Sequence, residues 1–223
     1  MSVAHAPLLT TAAELTDLVT AIRAAGRLAI DTEFVWERTY RPELGVVQIA
    51  TDGVVAVIDA VALKDLSPLF PVLQDPAIPV VLHGGGQDLE IMAVLMGAPM
   101  RNVIDTQVEA AFLGYGLQVG LSVLLERVLK VRIRKDQTYT DWLRRPLKPE
   151  QVVYAEQDVV HLLGEGVDVL PVEGRHEGAV DPTNDLVGGL VGLVLRGAHP
   201  GREIVPVTAS GDKVRQRRRL SVR

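Results

Sequence analysis

Helical spacing of apolar residues begins directly after Thr11. The stretch Thr11-Ala12-Ala13-Glu14 has the form of a capping box, in which the threonine and glutamate side chains satisfy free backbone N–H groups. The apolar positions that follow share one helical face, and Gly26 is placed to end the helix in a left-handed conformation. The pattern therefore predicts a helix between these two residues.

Three short apolar runs follow, at about 27–34, 44–50 and 54–59. Runs of this length that are bounded by turn residues are typical of strands. Asp52-Gly53 lies between the second and third runs and is a strong signal for a hairpin turn. The simplest interpretation is three antiparallel strands.

The chain then alternates between helix and strand patterns as far as Leu163. The predicted elements are a short helix near 65–73, a strand at about 78–83, a helix ending at Met96, a strand at 102–104, helices after Asp105 and at about 120–130, and a helix from Pro149 to Leu163. A hairpin followed by alternating strands and helices predicts an α/β fold with a mixed sheet.

Neither the helical pattern nor the strand pattern of apolar residues continues beyond Leu163. Glycine, valine and proline dominate 165–223, and the last residues, from Lys213 to Arg223, are basic. We expect a poorly structured extension without a core of its own. The sequence thus divides into a folded domain over 1–164 and an extension over 165–223.

Composition excludes several classes of site. The chain has 223 residues, of which 48% are hydrophobic, and no cysteine, so it can form a substantial core but neither a disulfide scaffold nor a thiolate zinc site. No apolar run reaches transmembrane length, and the N-terminus does not have the pattern of a signal peptide. We therefore expect no membrane association and a cytoplasmic location, which the absence of cysteine fits.

Charge is distributed unevenly along the chain. The net charge of −5 argues mildly against a general nucleic-acid-binding surface. Between Arg127 and Lys148, however, there are eight basic residues and two acidic ones. This segment can hold phosphate groups or can be a solvated basic face, and its charge alone does not decide between the two.

The first predicted strand ends in two carboxylates, Asp31 and Glu33. Alternate residues of a strand point to the same face, so both side chains are directed together from one end of a buried strand. Two ionised carboxylates on one face repel unless a cation or a basic group lies between them. The pair therefore indicates either a site for a hard divalent metal ion or a strand end that emerges into solvent.

Further carboxylates lie on predicted helices. Asp88 follows three glycines at a helix start, where a carboxylate also satisfies free N–H groups. Tyr154 and Asp158 are four residues apart and so are neighbours on one helical face, although such residues are often only solvated. A pair of metal ions that clamps a phosphodiester needs carboxylates from several elements, and a tyrosine beside one of them can orient water. Spacing alone does not show that these residues meet.

The ordered set of motifs resembles the DEDD family of 3′–5′ exonucleases, in its tyrosine subclass and most closely the ribonuclease D group. The matching stretches are Ile30-Asp31-Thr32-Glu33-Phe34, Arg38-Thr39-Tyr40 with Leu44 to Ile49, His83 to Glu90, Ile104 to Gln107, Thr140 to Leu147, and Tyr154-Ala155-Glu156-Gln157-Asp158. The D-x-E motif is weak alone. The whole series, ending in D-W-x-x-R-P-L and Y-A-x-x-D, is specific and spans about 9–163.

The resemblance implies a ribonuclease H-like fold with a five-stranded mixed sheet flanked by helices. It assigns Asp31, Glu33, Asp88 and Asp158 as the ligands of two Mg²⁺ or Mn²⁺ ions, and it assigns Tyr154 to position the attacking water. The implied reaction releases nucleoside 5′-monophosphates from the 3′ ends of single-stranded RNA, tRNA precursors included, in RNA processing or turnover.

The resemblance also suggests which side chains contact the substrate. These residues are His83, Gln87, Trp36, Tyr40, Arg134, Lys135 and Arg145. Aromatic rings can stack on bases, and basic side chains can hold phosphates. For Trp36, packing in the core is an equally good explanation.

Two features leave the function open. Members of the ribonuclease D group usually continue into helical nucleic-acid-binding domains, and 165–223 has no such pattern, which leaves tRNA specificity undecided. Recognition of the 2′-hydroxyl depends on cleft geometry, so the sequence does not distinguish RNA from DNA. A single-strand DNA exonuclease and an inactive nucleic-acid-binding module are therefore the alternatives. The sequence indicates no particular protein partner.

Overall fold

The computed structural model describes residues 6–36, 42–133 and 140–163, together with two short strands beyond them. The helices are α1 (Ala12–Ala25), α2 (Ala60–Leu63), α3 (Phe70–Leu73), α4 (Gly86–Met96), α5 (Thr106–Phe112), α6 (Leu121–Val128) and α7 (Pro149–Gln157), with a 3₁₀ turn at Ser67–Leu69. The strands are β1 (Leu8–Leu9), β2 (Leu28–Val35), β3 (Glu43–Thr51), β4 (Val54–Asp59), β5 (Val80–Leu82), β6 (Val103–Asp105), β7 (Val167–Val169) and β8 (Leu193–Leu195).

One mixed sheet organises the fold, with the strand order β1-β4-β3-β2-β5-β6. The hairpin strands β2, β3 and β4 pair antiparallel, whereas β5 and β6 continue the sheet in parallel with β2. The α/β fold with a mixed sheet is thus confirmed. The sheet has six strands rather than the expected five, because Leu8 and Leu9 pair in parallel with β4 at one edge.

Helix α1 begins and ends as its sequence predicts. Thr11 accepts a hydrogen bond from the backbone N–H of Glu14, and the Glu14 side chain accepts from the backbone N–H of Thr11. Gly26 ends the helix at φ 72°, in the left-handed region that glycine adopts without steric cost. The capping box and the C-terminal glycine therefore fix both ends of this helix.

Helices cover both faces of the sheet. On one face, buried residues of β2 and β3 pack against α1 and α4, with Ile22 and Met92 fully enclosed. On the other face, Ala155 and Val159, in and just after α7, pack over strands β2 to β4. Because α7 lies on this second face, residues near its C-terminal end can approach residues of β2 that point the same way.

The segment before α7 is fastened to the sheet by Arg145. Its guanidinium donates two hydrogen bonds of 2.6 Å to the carboxylate of Asp59, at the end of β4, and one of 2.9 Å to the carbonyl of Gly45. A Cβ atom at Gly45 would lie 2.6 Å from the carbonyl oxygen of Trp142, so only glycine permits this approach. These contacts set the position from which α7 starts.

Two helices differ from the predictions. Helix α7 ends at Gln157 rather than at Leu163, although Val159 and Leu162 remain buried in the turns that follow. The short helix α2 was not predicted. It forms because the Asp59 side chain accepts hydrogen bonds from the first free N–H groups beyond β4.

Of the predicted extension over 165–223, the structure describes only β7 and β8, which pair antiparallel as a separate two-stranded sheet. The other residues of that range lie outside the described residues, so the division at 164 stays a prediction. No helix in the described part of the chain combines the length and the apolarity that crossing a membrane needs.

Candidate metal centre

The candidate site begins where β2 extends past its parallel neighbour. The pairing of β2 with β5 stops at Ala29, whereas its pairing with β3 continues, so Asp31 lies opposite Gln48 and Glu33 opposite Val46. The end of β5 at Leu82 leaves room beside Asp31 for the chain that turns into α4. Both carboxylates are half-buried on the face that α7 covers.

Three carboxylates meet at this place. One carboxylate oxygen each from Asp31, Glu33 and Asp158 lie within 4.8 Å of one another. Asp158 is the C-cap residue that directly follows Gln157, so it reaches β2 from the end of the helix above the sheet. Residues separated by more than 120 positions along the chain are therefore brought together by the packing of α7 on the sheet.

A fourth carboxylate, Asp88, approaches from α4. It lies in the first turn of that helix, is buried, and its charge acts on both Asp31 and Glu33. The hydroxyl of Thr32, the middle residue of the D-x-E motif, donates a hydrogen bond to the Asp88 carboxylate. Thr32 could not be singled out from the sequence, because a threonine in a strand usually only packs.

Tyr154 lies on α7, one helical turn before Asp158. Its half-buried ring packs against the buried ring of Trp142, with the ring centroids 6.1 Å apart. This contact limits the orientations that the tyrosine can adopt. Because Tyr154 and Asp158 are four residues apart, they are neighbours on one face at the end of this helix.

The pKa values of Asp31 and Glu33 are raised when no cation is bound. Burial raises the pKa of Asp31 well above its usual value, and the charges of Asp88, Asp158 and Glu33 raise it further. Burial, followed by the charges of Asp158 and Asp88, raises the pKa of Glu33 to about 8. Oxygen ligands that repel one another are the donor set that hard divalent cations stabilise, so these residues fit such an ion.

The stability of the metal-free protein is expected to fall as the pH rises from 5 to 8. Folded Glu33, with a pKa of about 8, keeps a proton that the unfolded chain gives up at its ordinary pKa. A carboxyl group whose pKa is raised in the folded state contributes its full stabilisation at pH values below its pKa in the unfolded chain. This contribution is lost as the pH rises through the pKa of the folded state. The loss is at most about 1.4 kcal/mol per pH unit for each proton.

Urea unfolding of the metal-free protein at several pH values measures this effect. The Glu33→Gln variant should gain stability relative to the wild type as the pH rises, since it has no proton to lose. The Glu43→Gln variant is the control, because Glu43 is exposed on the neighbouring strand. A constant difference between wild type and Glu33→Gln from pH 5 to 8 would contradict the prediction.

Three further residues predicted to contact substrate, Trp36, His83 and Gln87, lie in the described part of the chain. Gln87 is exposed in the first turn of α4, and Trp36 is 46% exposed, with its ring 6.3 Å from that of Phe34. The ring nitrogens of His83 both have protein partners, the Thr106 hydroxyl at 2.9 Å and the Val119 carbonyl at 2.8 Å. Their contact with a substrate stays a prediction.

Arg145 makes contacts within the protein that the sequence did not predict. Its five N–H donors are all used within the protein, by Asp59 and by the carbonyls of Gly45, Trp142 and Arg144. These bonds fasten the segment before α7 to the sheet, and the contact of Arg145 with a substrate phosphate stays a prediction. Burial alone would raise the pKa of Asp59, but the hydrogen bonds from Arg145 and from backbone amides outweigh it and lower the pKa.

The predicted basic surface is only partly described. Arg134 and Lys135 lie outside the described residues, as does Tyr40. Within the described part of the segment, Arg132 forms an exposed ion pair with Glu126, and Arg127 donates to the Tyr115 carbonyl. Exposed pairs of this kind are weak, so they do not prevent these side chains from turning to a phosphate.

Comparison with known proteins places this geometry in a family. Residues 8–164 match the model of a 3′–5′ exonuclease domain. Ribonuclease D of Escherichia coli (strain K12) is 41% identical over 156 residues, which make up 70% of this chain and 42% of that protein. Ribonuclease D of Gluconacetobacter diazotrophicus is 44% identical over 156 residues, covering 70% of this chain and 40% of its own.

A solved structure agrees with the sequence matches. The crystal structure of Escherichia coli RNase D, described as an exoribonuclease involved in structured RNA processing, superposes with a TM-score of 0.67 at 40% identity, over 70% of this chain and 42% of that one. The chain thus spans about two fifths of the length of these relatives.

Proposed function

This chain belongs to the 3′–5′ exonuclease family, and from that membership we propose that it hydrolyses RNA from the 3′ end in a metal-dependent reaction. The observation that carries the proposal is the meeting of Asp31, Glu33 and Asp158, with Asp88 beside them. The description of the Escherichia coli relative as an exoribonuclease supports RNA as the substrate class. The matched residues support 1–164 as the catalytic domain.

We assign Asp31, Glu33, Asp88 and Asp158 as the residues that would hold two divalent ions, Mg²⁺ or Mn²⁺. Bound ions of this kind polarise the scissile phosphate and lower the pKa of an attacking water. The spread of the four carboxylates over β2, α4 and the end of α7 supports this assignment, because a pair of ions needs ligands from several directions.

Tyr154 is assigned to orient the attacking water. Its phenol can accept or donate a hydrogen bond, and its packing on Trp142 restricts where that group points. Attack forms a bond between the water oxygen and the terminal phosphorus while the bond to the 3′ oxygen of the preceding nucleotide breaks. The products are a nucleoside 5′-monophosphate and an RNA that is one residue shorter.

Three finer points belong to the same proposal. The substrates are single-stranded 3′ ends, with tRNA precursors as one candidate, and we propose that Trp36, Gln87 and His83 contact such an end. The reaction takes place in the cytoplasm, which a chain without cysteine fits.

A nuclease assay tests this function. Single-stranded RNA, single-stranded DNA and a tRNA precursor, each labelled at the 5′ end, are incubated with the full chain and Mg²⁺ or Mn²⁺. We expect a ladder of RNA products that shorten stepwise, with mononucleotides released. If the protein degrades DNA faster than RNA, DNA rather than RNA is its preferred substrate. Tight binding of single strands without cleavage under either metal would show a binding module instead.

The Thr32→Val variant is expected to lower kcat about tenfold or more. Valine keeps the shape of this buried residue, but it removes the hydroxyl that holds the Asp88 carboxylate. Hydrogen bonds to charged groups contribute about 1.5–3 kcal/mol, which corresponds to roughly tenfold to hundredfold in rate. Single-turnover hydrolysis of labelled RNA at saturating metal measures the change.

The Thr16→Val variant is the matched control, because its hydroxyl bonds to the Ala12 carbonyl on the exposed side of α1. It should keep the wild-type rate. A Thr32→Val protein that is folded and cleaves RNA as fast as the wild type would show that the hydroxyl does not position Asp88 for the reaction.

A further inference from the structure

Gln48 is a buried polar residue that the catalytic assignments leave unexplained. Its side chain is fully buried at the centre of β3, and neither its amide nitrogen nor its amide oxygen has a hydrogen-bond partner among the described residues. A buried polar group without a hydrogen-bond partner destabilises the folded protein. An apolar residue at this position would avoid this destabilisation. We therefore expect the Gln48 amide to form a hydrogen bond in the functional protein.

Most of the residues around Gln48 on its own face of the sheet are apolar. Val46 and Ala50 are the neighbours along β3 that point the same way, and Val57 is its partner on β4. Ala155 and Val159 belong to the same two apolar clusters and cover this face. None of these side chains can donate or accept a hydrogen bond.

The cross-strand partner on the other side is Asp31. In the antiparallel pairing of β2 with β3, Asp31 lies directly opposite Gln48, so the two side chains stand side by side on one face. Asp31 offers a carboxylate, which accepts hydrogen bonds, and an amide offers two N–H donors. Among the described strand residues that adjoin Gln48 on this face, only Asp31 has a side chain that can form a hydrogen bond with the amide.

We propose that Gln48 is a positioning residue for the metal centre, whose amide N–H holds the Asp31 carboxylate, directly or through one water, when the site is loaded. The inference rests on the proposed metal-dependent function. Groups that hydrogen-bond to a metal ligand orient it, and their loss typically weakens metal binding tenfold to hundredfold. Gln48 would thus act through Asp31 without touching the substrate.

The Gln48→Met variant separates this role from a merely structural one. Methionine has a similar length but no amide, so it fills the same space in an apolar layer. We expect Mn²⁺ binding to the full chain, measured by titration calorimetry, to weaken tenfold to hundredfold. The melting temperature of the metal-free protein should stay the same or rise, because an unpaired buried amide has been removed.

Gln151→Met is the matched control. Gln151 is also buried, but its amide oxygen accepts from the Lys148 backbone at 2.9 Å and its nitrogen donates to the Thr140 hydroxyl at 3.3 Å. The same substitution there should lower the melting temperature and leave Mn²⁺ affinity within twofold of the wild type. Gln48→Met is therefore expected to weaken Mn²⁺ binding, whereas Gln151→Met is expected to lower the melting temperature.

Each possible result of these titrations either supports or overturns the proposed role of Gln48. Wild-type affinity for Mn²⁺ in Gln48→Met overturns the role of Gln48 while leaving the metal centre intact, whereas a wild-type chain that binds no Mn²⁺ overturns both. Gln48→Leu, which differs in shape, is the second variant. If both variants fail to fold, the amide is required by the fold itself and the proposed role is wrong.

Discussion

The Asp31→Asn variant is expected to hydrolyse RNA at least about 10³-fold more slowly than the wild type, a loss of about 4 kcal/mol of transition-state stabilisation. Asparagine keeps the size of the side chain but removes the charge at the centre of the carboxylate cluster. Loss of one ligand disables a clamp whose ions stabilise charge on the reacting phosphate. Single-turnover cleavage of labelled RNA with Mn²⁺ measures the effect.

Folding should not suffer from this substitution. The buried Asp31 carboxyl has a pKa well above its usual value, so a neutral side chain is tolerated in its place at neutral pH. Circular dichroism and the melting temperature check this point. Asp17→Asn, on the exposed side of α1, is the control and should retain full activity. Unchanged cleavage by a folded Asp31→Asn protein would remove Asp31 from the mechanism.

Removal of divalent ions is expected to reduce cleavage to background, and added Mn²⁺ or Mg²⁺ should restore it. Mn²⁺ should also raise the melting temperature, because a ligand that binds only the folded state at 100 times its Kd adds about 2.7 kcal/mol of stability. The effect has a clear physical cause here, since the cation relieves repulsion among Asp31, Glu33 and their acidic neighbours.

The matched comparison uses the same titration on Asp31→Asn, which should show a much smaller rise in melting temperature. Cleavage that persists in excess chelator would mean that the reaction does not depend on a metal ion. An equal rise in both proteins would mean that Mn²⁺ binds elsewhere.

Local sequence signals predicted much of the fold. The capping box at Thr11, the glycines that end α1 and α4, and the hairpin at Asp52-Gly53 act over a few residues, so their structural effect is visible in the sequence. Helix α2 was missed because it has only four residues and its start depends on hydrogen bonds to the Asp59 side chain at the end of a strand.

The site was predictable in its residue types but not in its geometry. The D-x-E pattern indicates that Asp31 and Glu33 share a face, but only the packing of α7 on that face brings Asp158 to them. The supporting residues Thr32 and Gln48 gave no signal of their own. Their importance follows from contacts and burial, which a single sequence does not contain.

Long-range pairing also explains why the contacts of Arg145 within the protein were not predicted. In the sequence it belongs to a basic segment, which favours a phosphate contact, whereas in the fold its guanidinium meets Asp59, 86 residues away. A charge count cannot reveal a partner that lies in another element. The same limit applies to His83, whose ring nitrogens face the Thr106 hydroxyl and the Val119 carbonyl.

Anomalous diffraction from crystals grown with Mn²⁺ tests most directly whether carboxylates from β2, α4 and the end of α7 form one metal centre. We predict two manganese peaks about 3.5–4 Å apart, in contact with Asp31, Glu33, Asp88 and Asp158. Manganese bound elsewhere, or a structure in which Asp158 points away from Asp31, would contradict the account.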